Sequence, residues 1–308
     1  MKNIDNIFSD EFLKIDKNKI TFHINEEGIF FFKKAFSENF VDGLLNDVEK
    51  NKFSINKNWV SGVYTENQYY VRHLLGCSRS FYSLVTNNFF FNLCDTLFKK
   101  DYRLKSFRYY ETYSNHKMNW HTDNMINTTG FEEIPGICFI VYLGDVMDGE
   151  FQFIKKSHKF SHIESRNDYT NDFIFKNYKQ DIASYKGHKG DLVIYHTYGI
   201  HRAKPVKKKN FVRKSLIMQI DSDLKSAEPT LINPSFVERL DAKTLKFFGF
   251  GLPSESYNYP DTNINRLPLR IFFSKIFFQY LTYHLPKLIY NFLPKKIKFF
   301  LKKVLKTN

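Results

Sequence analysis

Cysteine is scarce in this sequence, and its spacing defines no site. Cys77, Cys94 and Cys138 are odd in number, far apart and without the two-residue spacing of a zinc knuckle. Neither a disulfide framework nor a cysteine-bound zinc ion is therefore indicated, and a reduced cytosolic setting fits best. Repeats of solenoid or propeller length and long low-complexity linkers are absent as well. We expect one large domain and an appendage within the 308 residues.

Segments that would carry the chain into or across a membrane are also missing. The N-terminal residues MKNIDNIFSDEF include acidic side chains where a secretory signal has a basic segment and an unbroken apolar run. Near the C-terminus, charged residues and prolines interrupt every apolar stretch before it reaches the roughly 20 residues that span a bilayer. The sequence therefore predicts a cytoplasmic protein without a transmembrane helix.

Acidic residues are absent after Asp261, although the whole chain has a net charge of +14. The basic residues of this last segment are Arg266, Arg270, Lys275, Lys287, Lys295, Lys296, Lys298, Lys302, Lys303 and Lys306. On a helical wheel, one apolar stripe consists of Ile297, Phe300, Leu301, Val304 and Leu305. The lysines that lie off this stripe are Lys296, Lys302, Lys303 and Lys306.

A cationic helix with an apolar stripe is typical of a helix lying on anionic lipid. We therefore predict that residues 263–308 form a basic amphipathic tail that docks peripherally on the inner membrane surface. One alternative is a pair of C-terminal helices packed on the main domain. Nucleic-acid binding is not expected, because the apolar stripe would have no partner on a phosphate backbone.

The main domain is predicted to be globular and mainly β. Aromatic residues make up 18% of the chain and charged residues 25%. Apolar runs in Ile20 to Phe36 suggest strands around a turn at Gly28, and apolar spacing predicts helices in Ser37 to Lys50 and in Ser78 to Phe98. After Tyr102, short β-branched and aromatic runs alternate with turn residues, which favours a barrel or sandwich.

A further polar stretch, Ser161 to Lys189, is predicted to be an insertion over one mouth of that barrel.

The motif WHTD, Trp120 to Asp123, contains a candidate pair of metal ligands. On an extended segment His121 and Asp123 point to one side, and Trp120 and Thr122 to the other. The pair alone would equally suit a solvated loop. A second histidine would complete a 2-His-1-carboxylate site, which suits Fe(II) and O₂.

The third ligand is predicted to be His201, which follows the apolar strand LVIYH. His188 and His196 are rival candidates, and His196 would equally suit a buried core position. The segment FVRKSLIMQID then alternates Arg213, Ser215, Ile217 and Gln219 on one face with Val212, Lys214, Leu216 and Met218 on the other. An inward Arg213 would offer two parallel donors to a carboxylate, and Ser215 a hydroxyl. The alternative is an exposed strand arginine.

These segments, in this order, resemble the phytanoyl-CoA dioxygenase family of Fe(II)- and 2-oxoglutarate-dependent oxygenases. The matching segments are EEGIFFFKKAFSENFVDGL, WHTD, GEFQFIKKSHK, KGDLVIYHTYGIH and RKSLIMQI. The resemblance covers roughly Ile20 to Asp221. In two respects this chain is distinctive: Lys155 and Lys156 stand where the family has Pro-Gly, and Arg213 follows His201 by twelve residues.

The resemblance implies a double-stranded β-helix, or jelly roll, in residues 1–262, with flanking helices. It implies that His121, Asp123 and His201 bind Fe(II) and that Arg213 holds 2-oxoglutarate. Tyr109, Tyr110 and Trp120 are candidate pocket walls, although aromatic residues at such positions are more often core.

The implied reaction uses O₂ and 2-oxoglutarate to hydroxylate an unactivated C–H bond, with succinate and CO₂ as products. Related halogenases have a small residue at the position of Asp123, so hydroxylation is favoured here. The substrate is expected to be a small molecule, a lipid, an acyl thioester or a lipid-linked sugar. The alternative to an enzyme is a non-catalytic β-helix module that binds a glycan or a protein partner.

Overall fold

The chain divides into two compact units in a computed structural model. One unit contains Met1–Val63 and Asn67–Thr262, and the other contains Tyr64–Glu66 and Asn263–Asn308. The structure describes residues 6–51, 63–65, 67–116, 118–123, 136–160, 169–222, 224, 227–237, 240–253, 273–274, 276–278, 280–294 and 297–298.

Two antiparallel sheets form the centre of the first unit. The larger contains β1 (Ile29–Phe32), β8 (Leu192–His196), β5 (Gly136–Tyr142), β10 (Arg213–Asp221), β4 (Arg103–Thr112) and β3 (Gln68–Val71), in that order across the sheet. The smaller has the order β7 (Ile182–Gly187), β6 (Val146–Ile154) and β9 (His201–Ala203). A short strand, β2, is Val63–Thr65.

The helices of this unit lie before, between and after the strands. They are α1 (Asp10–Leu13), α2 (Lys17–Glu27), α3 (Glu38–Asn51), α4 (Leu74–Cys77), α5 (Arg79–Val85), α6 (Asn88–Leu97), α7 (Asn171–Asn177) and α8 (Ala242–Phe247). Single 3₁₀ turns span Ser157–Lys159, Lys179–Asp181 and Pro234–Phe236. The predicted mixture of antiparallel strands and flanking helices is confirmed at this level.

Side chains from both sheets share one buried cluster. Strand β5 is buried along its whole length, as expected for a central strand. Its Ile140 and Tyr142 pack with Phe151 and Phe153 of the smaller sheet and with Val193 of β8. The core therefore lies between the sheets, and the inward face of each strand is available to line a site.

The segment before β1 is a helix, so the strand predicted for the first half of Ile20 to Phe36 is wrong. Asp16 accepts a hydrogen bond from the Asn18 backbone N–H at the N-terminus of α2, and Gly28 ends the helix with φ of 80°. Ile20 and Ile24 are fully buried and lie one turn apart. Burial of this one helical face outweighs the strand-like composition, and only Ile29–Phe32 is extended.

The predicted helix between Ser78 and Phe98 is two helices, α5 and α6. Asn87 separates them because its side chain accepts a hydrogen bond from the Phe89 backbone N–H and starts a new helix.

The predicted insertion at 161–189 is wrong over most of its described part. Residues 169–189 include α7 and the whole of β7, an edge strand of the smaller sheet. Residues 161–168 lie outside the described residues.

The second unit contains a π-helical turn, Tyr280–His284, and a helix, α9 (Leu285–Phe292). Among the residues that the structure describes, every helix is too short or too polar to cross a membrane. Of the predicted apolar stripe, Ile297 is described and exposed. The remainder, from Phe300 onward, and Lys296 lie outside the described residues.

Candidate active site

Three side chains from two separated segments converge at one end of the cavity between the sheets. His121 and His201 exchange both backbone N–H···O bonds, at 3.0 and 2.9 Å. The Asp123 backbone N–H donates to the Thr197 carbonyl at 3.0 Å. One potential ligand atom from each of His121, Asp123 and His201 lies within 4.8 Å of the others. Backbone pairing with β9 and the turn before it therefore brings the WHTD motif to His201.

Both imidazoles are oriented by their own main chain. His121 Nδ1 lies 2.9 Å from the Asn119 carbonyl oxygen, and His201 Nδ1 lies 3.0 Å from the Gly199 carbonyl oxygen. A carbonyl accepts only, so in the neutral imidazole the proton is on Nδ1 and the lone pair is on Nε2. The Nε2 atoms lie 3.9 and 3.6 Å from the Asp123 carboxylate oxygens. This arrangement suits a divalent metal.

A buried tyrosine that the sequence did not single out completes this end of the cavity. The Tyr195 hydroxyl donates to Asp123 Oδ2 at 2.8 Å and lies 3.3 Å from His201 Nε2. Burial raises the pKa of Tyr195 well above its usual value, and the Asp123 carboxylate raises it further. Tyr195 therefore stays a neutral donor at physiological pH. In LVIYH, Tyr195 lies two positions after Val193 and therefore on the same face of the strand. This spacing is the feature of the sequence that indicates its inward direction.

The three side chains open into a cavity of about 250 Å³. The wall formed by β10 consists of Arg213, Ser215, Ile217 and Gln219, which confirms the predicted alternation of this strand. Neighbouring strands contribute Ser106, Arg108 and Tyr110 from β4, and Cys138, Ile140 and Tyr142 from β5. The same cavity therefore contains the three converging side chains and Arg213.

Arg213 is buried, with 7% of its surface exposed. Its two terminal nitrogens donate to the Gly149 carbonyl and, at 3.1 Å, to Thr112 Oγ1, while its Nε has no partner among the described residues. Desolvation lowers the pKa of Arg213, although Tyr142 and Glu150 oppose this. Among the described residues no carboxylate forms an ion pair with Arg213. A buried cation of this kind favours an anionic ligand.

A second arginine of the cavity, unlike Arg213, forms an ion pair with a described carboxylate. Arg108 is paired with both carboxylate oxygens of Glu228, and its third donor reaches the Tyr110 hydroxyl at 3.0 Å. Arg108 and Glu228 are 120 positions apart, so no local pattern of the sequence indicates that they pair. The charge of Arg108 is therefore balanced by an ion pair, whereas Arg213 forms none within the described part of the chain.

Two of the predicted pocket residues lie elsewhere. Trp120 is 1% exposed and packs with Ile154 and Ile200 in a separate cluster, beneath the Arg202 guanidinium. Tyr109 is fully buried and donates to Glu111 at 2.8 Å. Neither lines the cavity. Successive side chains of an extended segment point to opposite faces, and each of these two residues is adjacent in the chain to one that does line it. Tyr110 and Ser215, by contrast, line it.

The rival histidines do not line this cavity. His196 is buried beside His158, and its Nδ1 accepts from the Tyr198 backbone N–H. Burial lowers the pKa of His196 to about 3, with a further contribution from His158. His188 is exposed and lies 3.2 Å from Asp145. His196 is thus a core histidine and His188 a surface one.

The segment that resembles a family turn supports the strand of His201. Ser157 donates to the Ile154 carbonyl at 2.6 Å and accepts from the Ile200 backbone N–H at 2.7 Å. Lys156, where the family has glycine, has φ of 63°, a conformation that favours glycine. The turn is therefore formed despite the lysine.

Comparison with known proteins gives matches at the level of structure. No protein-family model matches the chain, and no curated protein matches it. Among solved structures, HygX from Streptomyces hygroscopicus with nickel and 2-oxoglutarate bound superposes with a TM-score of 0.56 at 12% identity. The match covers 70% of this chain and 90% of that one.

Two further similar structures come from nogalamycin biosynthesis. The epimerase SnoN, in complex with Fe³⁺, alpha ketoglutarate and nogalamycin RO, has a TM-score of 0.52 at 14% identity, covering 73% of this chain and 90% of that one. The non-heme alpha ketoglutarate dependent carbocyclase SnoK has a TM-score of 0.51 at 16% identity, with 68% and 85% covered. This chain therefore shares the fold of these enzymes, while the resemblance to phytanoyl-CoA dioxygenases stays a prediction.

Proposed function

We propose that this chain is an Fe(II)- and 2-oxoglutarate-dependent oxygenase that hydroxylates a C–H bond of a small organic molecule. The observation that supports it best is the combination, in one cavity, of three converging side chains and a buried arginine that has no acidic partner among the described residues. The similar structures HygX and SnoN contain 2-oxoglutarate or alpha ketoglutarate with a metal. On this proposal the two sheets are the halves of a double-stranded β-helix.

The residues present fit both groups. His121, Asp123 and His201 would bind iron through two nitrogens and a carboxylate oxygen, a donor set suited to Fe(II). Arg213 would hold the distal carboxylate of 2-oxoglutarate, which would supply the acceptor that its Nε lacks. Ser215, its neighbour on the same face of β10, would donate a further hydrogen bond.

When bound, iron and 2-oxoglutarate supply the oxidising power by which O₂ functionalises an unactivated C–H bond, with succinate and CO₂ as products. The protein's own contribution is orientation and the exclusion of water. Phe151, Ile140 and Ile217 form apolar walls of the cavity. Tyr110 and Arg108 form a polar wall on β4, suited to orienting a substrate that carries hydrogen-bonding groups.

Succinate formation tests this proposal. Full-length protein with Fe(II), O₂ and 2-oxoglutarate is expected to produce succinate, and His121→Ala is expected to abolish it because two ligands do not hold the metal. His188→Ala, which changes an exposed histidine, is the matched control and should retain wild-type turnover. Succinate formation that survives His121→Ala would refute the metal assignment. A wild type that binds neither Co(II) nor 2-oxoglutarate would favour the alternative binding module.

We further propose that the basic tail, residues 263–308, docks on an anionic membrane surface and brings the site near lipid or lipid-linked substrates. Ten of the sixteen exposed large apolar side chains among the described residues lie in this tail. They are Phe273, Ile276, Phe277, Phe278, Tyr280, Leu281, Leu288, Ile289, Phe292 and Ile297. With no acid after Asp261, apolar mass and positive charge coincide, which suits anionic lipid.

Vesicle sedimentation of the full-length protein tests the docking. We expect binding to vesicles that contain phosphatidylglycerol, weaker binding at high salt, and little binding to phosphatidylcholine alone. Replacing Phe277 and Phe278 by Ser should reduce binding. Phe22→Ser is the control, because Phe22 is 62% exposed and Phe277 63%. Equal sedimentation with both vesicle types would refute an electrostatic membrane site.

A further inference from the structure

Each of the three converging side chains has a hydrogen-bond partner behind it. For His121 and His201 the partner is a main-chain carbonyl, which fixes the tautomer and the plane of the ring. For Asp123 it is the hydroxyl of Tyr195, at 2.8 Å from Oδ2. The Asp123 carboxylate is therefore oriented by a side chain of β8, the strand that precedes His201 in the chain.

The Tyr195 ring is held rigidly. It is 3% exposed, its centroid lies 4.8 Å from that of Phe151, and it lies 4.6 Å from that of His201. Two residues of the smaller sheet, Phe151 of β6 and His201 of β9, therefore fix the direction in which the hydroxyl points. A donor fixed in this way selects one orientation of a carboxylate that would otherwise rotate about its χ angles.

The hydroxyl has one proton, and its neighbours are Asp123 Oδ2, His201 Nε2 and the sulfur of Cys138, a weak acceptor. His201 Nε2, at 3.3 Å, competes weakly with Asp123 Oδ2 for that proton. A metal bound to Nε2 would occupy the same lone pair and leave the proton to Asp123. Oδ2 would then be held by Tyr195, and Oδ1, which lies 3.9 Å from His121 Nε2, would bind the metal singly.

We propose that Tyr195 is a positioning residue that orients Asp123 for metal binding through a single carboxylate oxygen. This inference rests on the proposed metal centre and goes beyond it, because it assigns a role to a residue outside the ligand set. Partners of metal ligands typically affect metal affinity by about 10–100-fold when removed.

The chain contains a matched control for this hydrogen bond. Tyr109 is likewise buried, and its hydroxyl likewise donates to a carboxylate, that of Glu111, at 2.8 Å. Neither Tyr109 nor Glu111 lines the cavity. Tyr109→Phe and Tyr195→Phe therefore remove the same group from the same kind of bond, in two different places.

The test titrates full-length wild type, Tyr195→Phe and Tyr109→Phe with Co(II), followed by calorimetry and by the visible spectrum of bound Co(II). Tyr195→Phe is expected to weaken Co(II) binding about 10–100-fold and to change the spectrum, whereas Tyr109→Phe should match wild type in both. The melting temperatures of the metal-free proteins establish that the variants are folded. Phe retains the ring packing, so folding is expected.

The outcomes separate the two proposals. Wild-type affinity and spectrum in Tyr195→Phe would overturn the positioning role and leave the metal centre intact. A wild type that binds no Co(II) would overturn the metal centre and the positioning role together. Equal weakening in both variants would also overturn the role, because it would show a general effect of losing a buried hydroxyl.

Discussion

At the scale of single residues, the cavity contains two arginines in contrasting situations. Arg108 is neutralised by Glu228, whereas Arg213 is buried against a carbonyl and a hydroxyl. A buried guanidinium that is paired inside the protein has little to gain from an anionic ligand, and one that is not so paired has much to gain. This contrast favours the Arg213 end of the cavity as the place where the proposed 2-oxoglutarate would bind.

Replacement of Arg213 by Lys is expected to weaken 2-oxoglutarate binding. Lysine keeps the charge but loses the parallel pair of donors. Loss of a charge-assisted hydrogen bond costs about 1.5–3 kcal/mol, or about 10–150-fold in affinity. Titration of 2-oxoglutarate in the presence of Co(II) measures the effect. Lys214→Met, on the opposite face of β10, is the control, and a loss of equal size there would contradict the assignment.

Acidification is expected to destabilise the fold through His196. Its pKa is about 3 in the folded chain, because of burial and then of His158, and about 6.5 when unfolded. Between these values the unfolded chain binds a proton that the folded chain does not, so stability falls as the pH drops below about 6.5. The slope reaches about 1.4 kcal/mol per pH unit for one proton.

Urea midpoints between about pH 7.5 and 5 measure this slope. His196→Asn keeps an acceptor for the Tyr198 backbone N–H and should make the slope shallower. His188→Asn changes an exposed histidine and serves as the control. An unchanged slope in His196→Asn would contradict the explanation.

At the scale of elements, strand register sets the order of side chains in the cavity. Ser215 lies opposite Tyr110 of β4 and Tyr142 of β5, and Ile217 lies opposite Arg108 and Ile140. Each row across the sheet therefore contributes three side chains to the same wall. A shift of one residue in β10 would turn Arg213 away from the cavity, so the register of this strand matters for the site.

The end of helix α2 provides a test of packing. Gly28 has φ of 80°, and a Cβ there would lie 2.5 Å from His158 Nδ1. Gly28→Ala is therefore expected to destabilise the protein by about 1–3 kcal/mol. Gly43→Ala, within α3 and with nothing within 4 Å of the added Cβ, should instead stabilise it by about 0.5–1 kcal/mol. Thermal melting distinguishes the two, and equal shifts would contradict this account.

At the scale of the whole molecule, the two units differ in surface. The first unit encloses a core between its sheets, and the second carries most of the exposed apolar side chains among the described residues. The boundary near Thr262 coincides with the start of the acid-free segment in the sequence. That the first unit is an oxygenase and that the second binds a membrane surface both stay predictions.

Ligands that bind the folded chain are expected to raise its melting temperature. Co(II) and 2-oxoglutarate at about 100 times their dissociation constants add about 2.7 kcal/mol each. For a unit of this size that corresponds to roughly 5–10 °C per ligand. Scanning calorimetry measures the shift, and a chelator should reverse the Co(II) part. A Co(II) shift of wild-type size in His121→Ala would contradict the metal site.

Several features follow from the sequence alone, because they depend on local periodicity. The inward alternation of Arg213, Ser215, Ile217 and Gln219 is a property of any extended segment, and the structure confirms it. The same rule predicts that His121 and Asp123 share a side, and it also explains why Trp120 faces away from the cavity. The acid-free tail is evident from composition.

Tertiary structure decided what no local pattern contains. The helix at Lys17–Glu27 forms because burial of Ile20 and Ile24 outweighs strand-like composition, and β7 exists only because the edge of β6 is there to pair with it. The pairing of His121 with His201, the donor Tyr195 and the ion pair of Arg108 with Glu228 all join residues distant in the chain. Sequence determined which groups each strand presents, and the packing of the two sheets determined which of them meet.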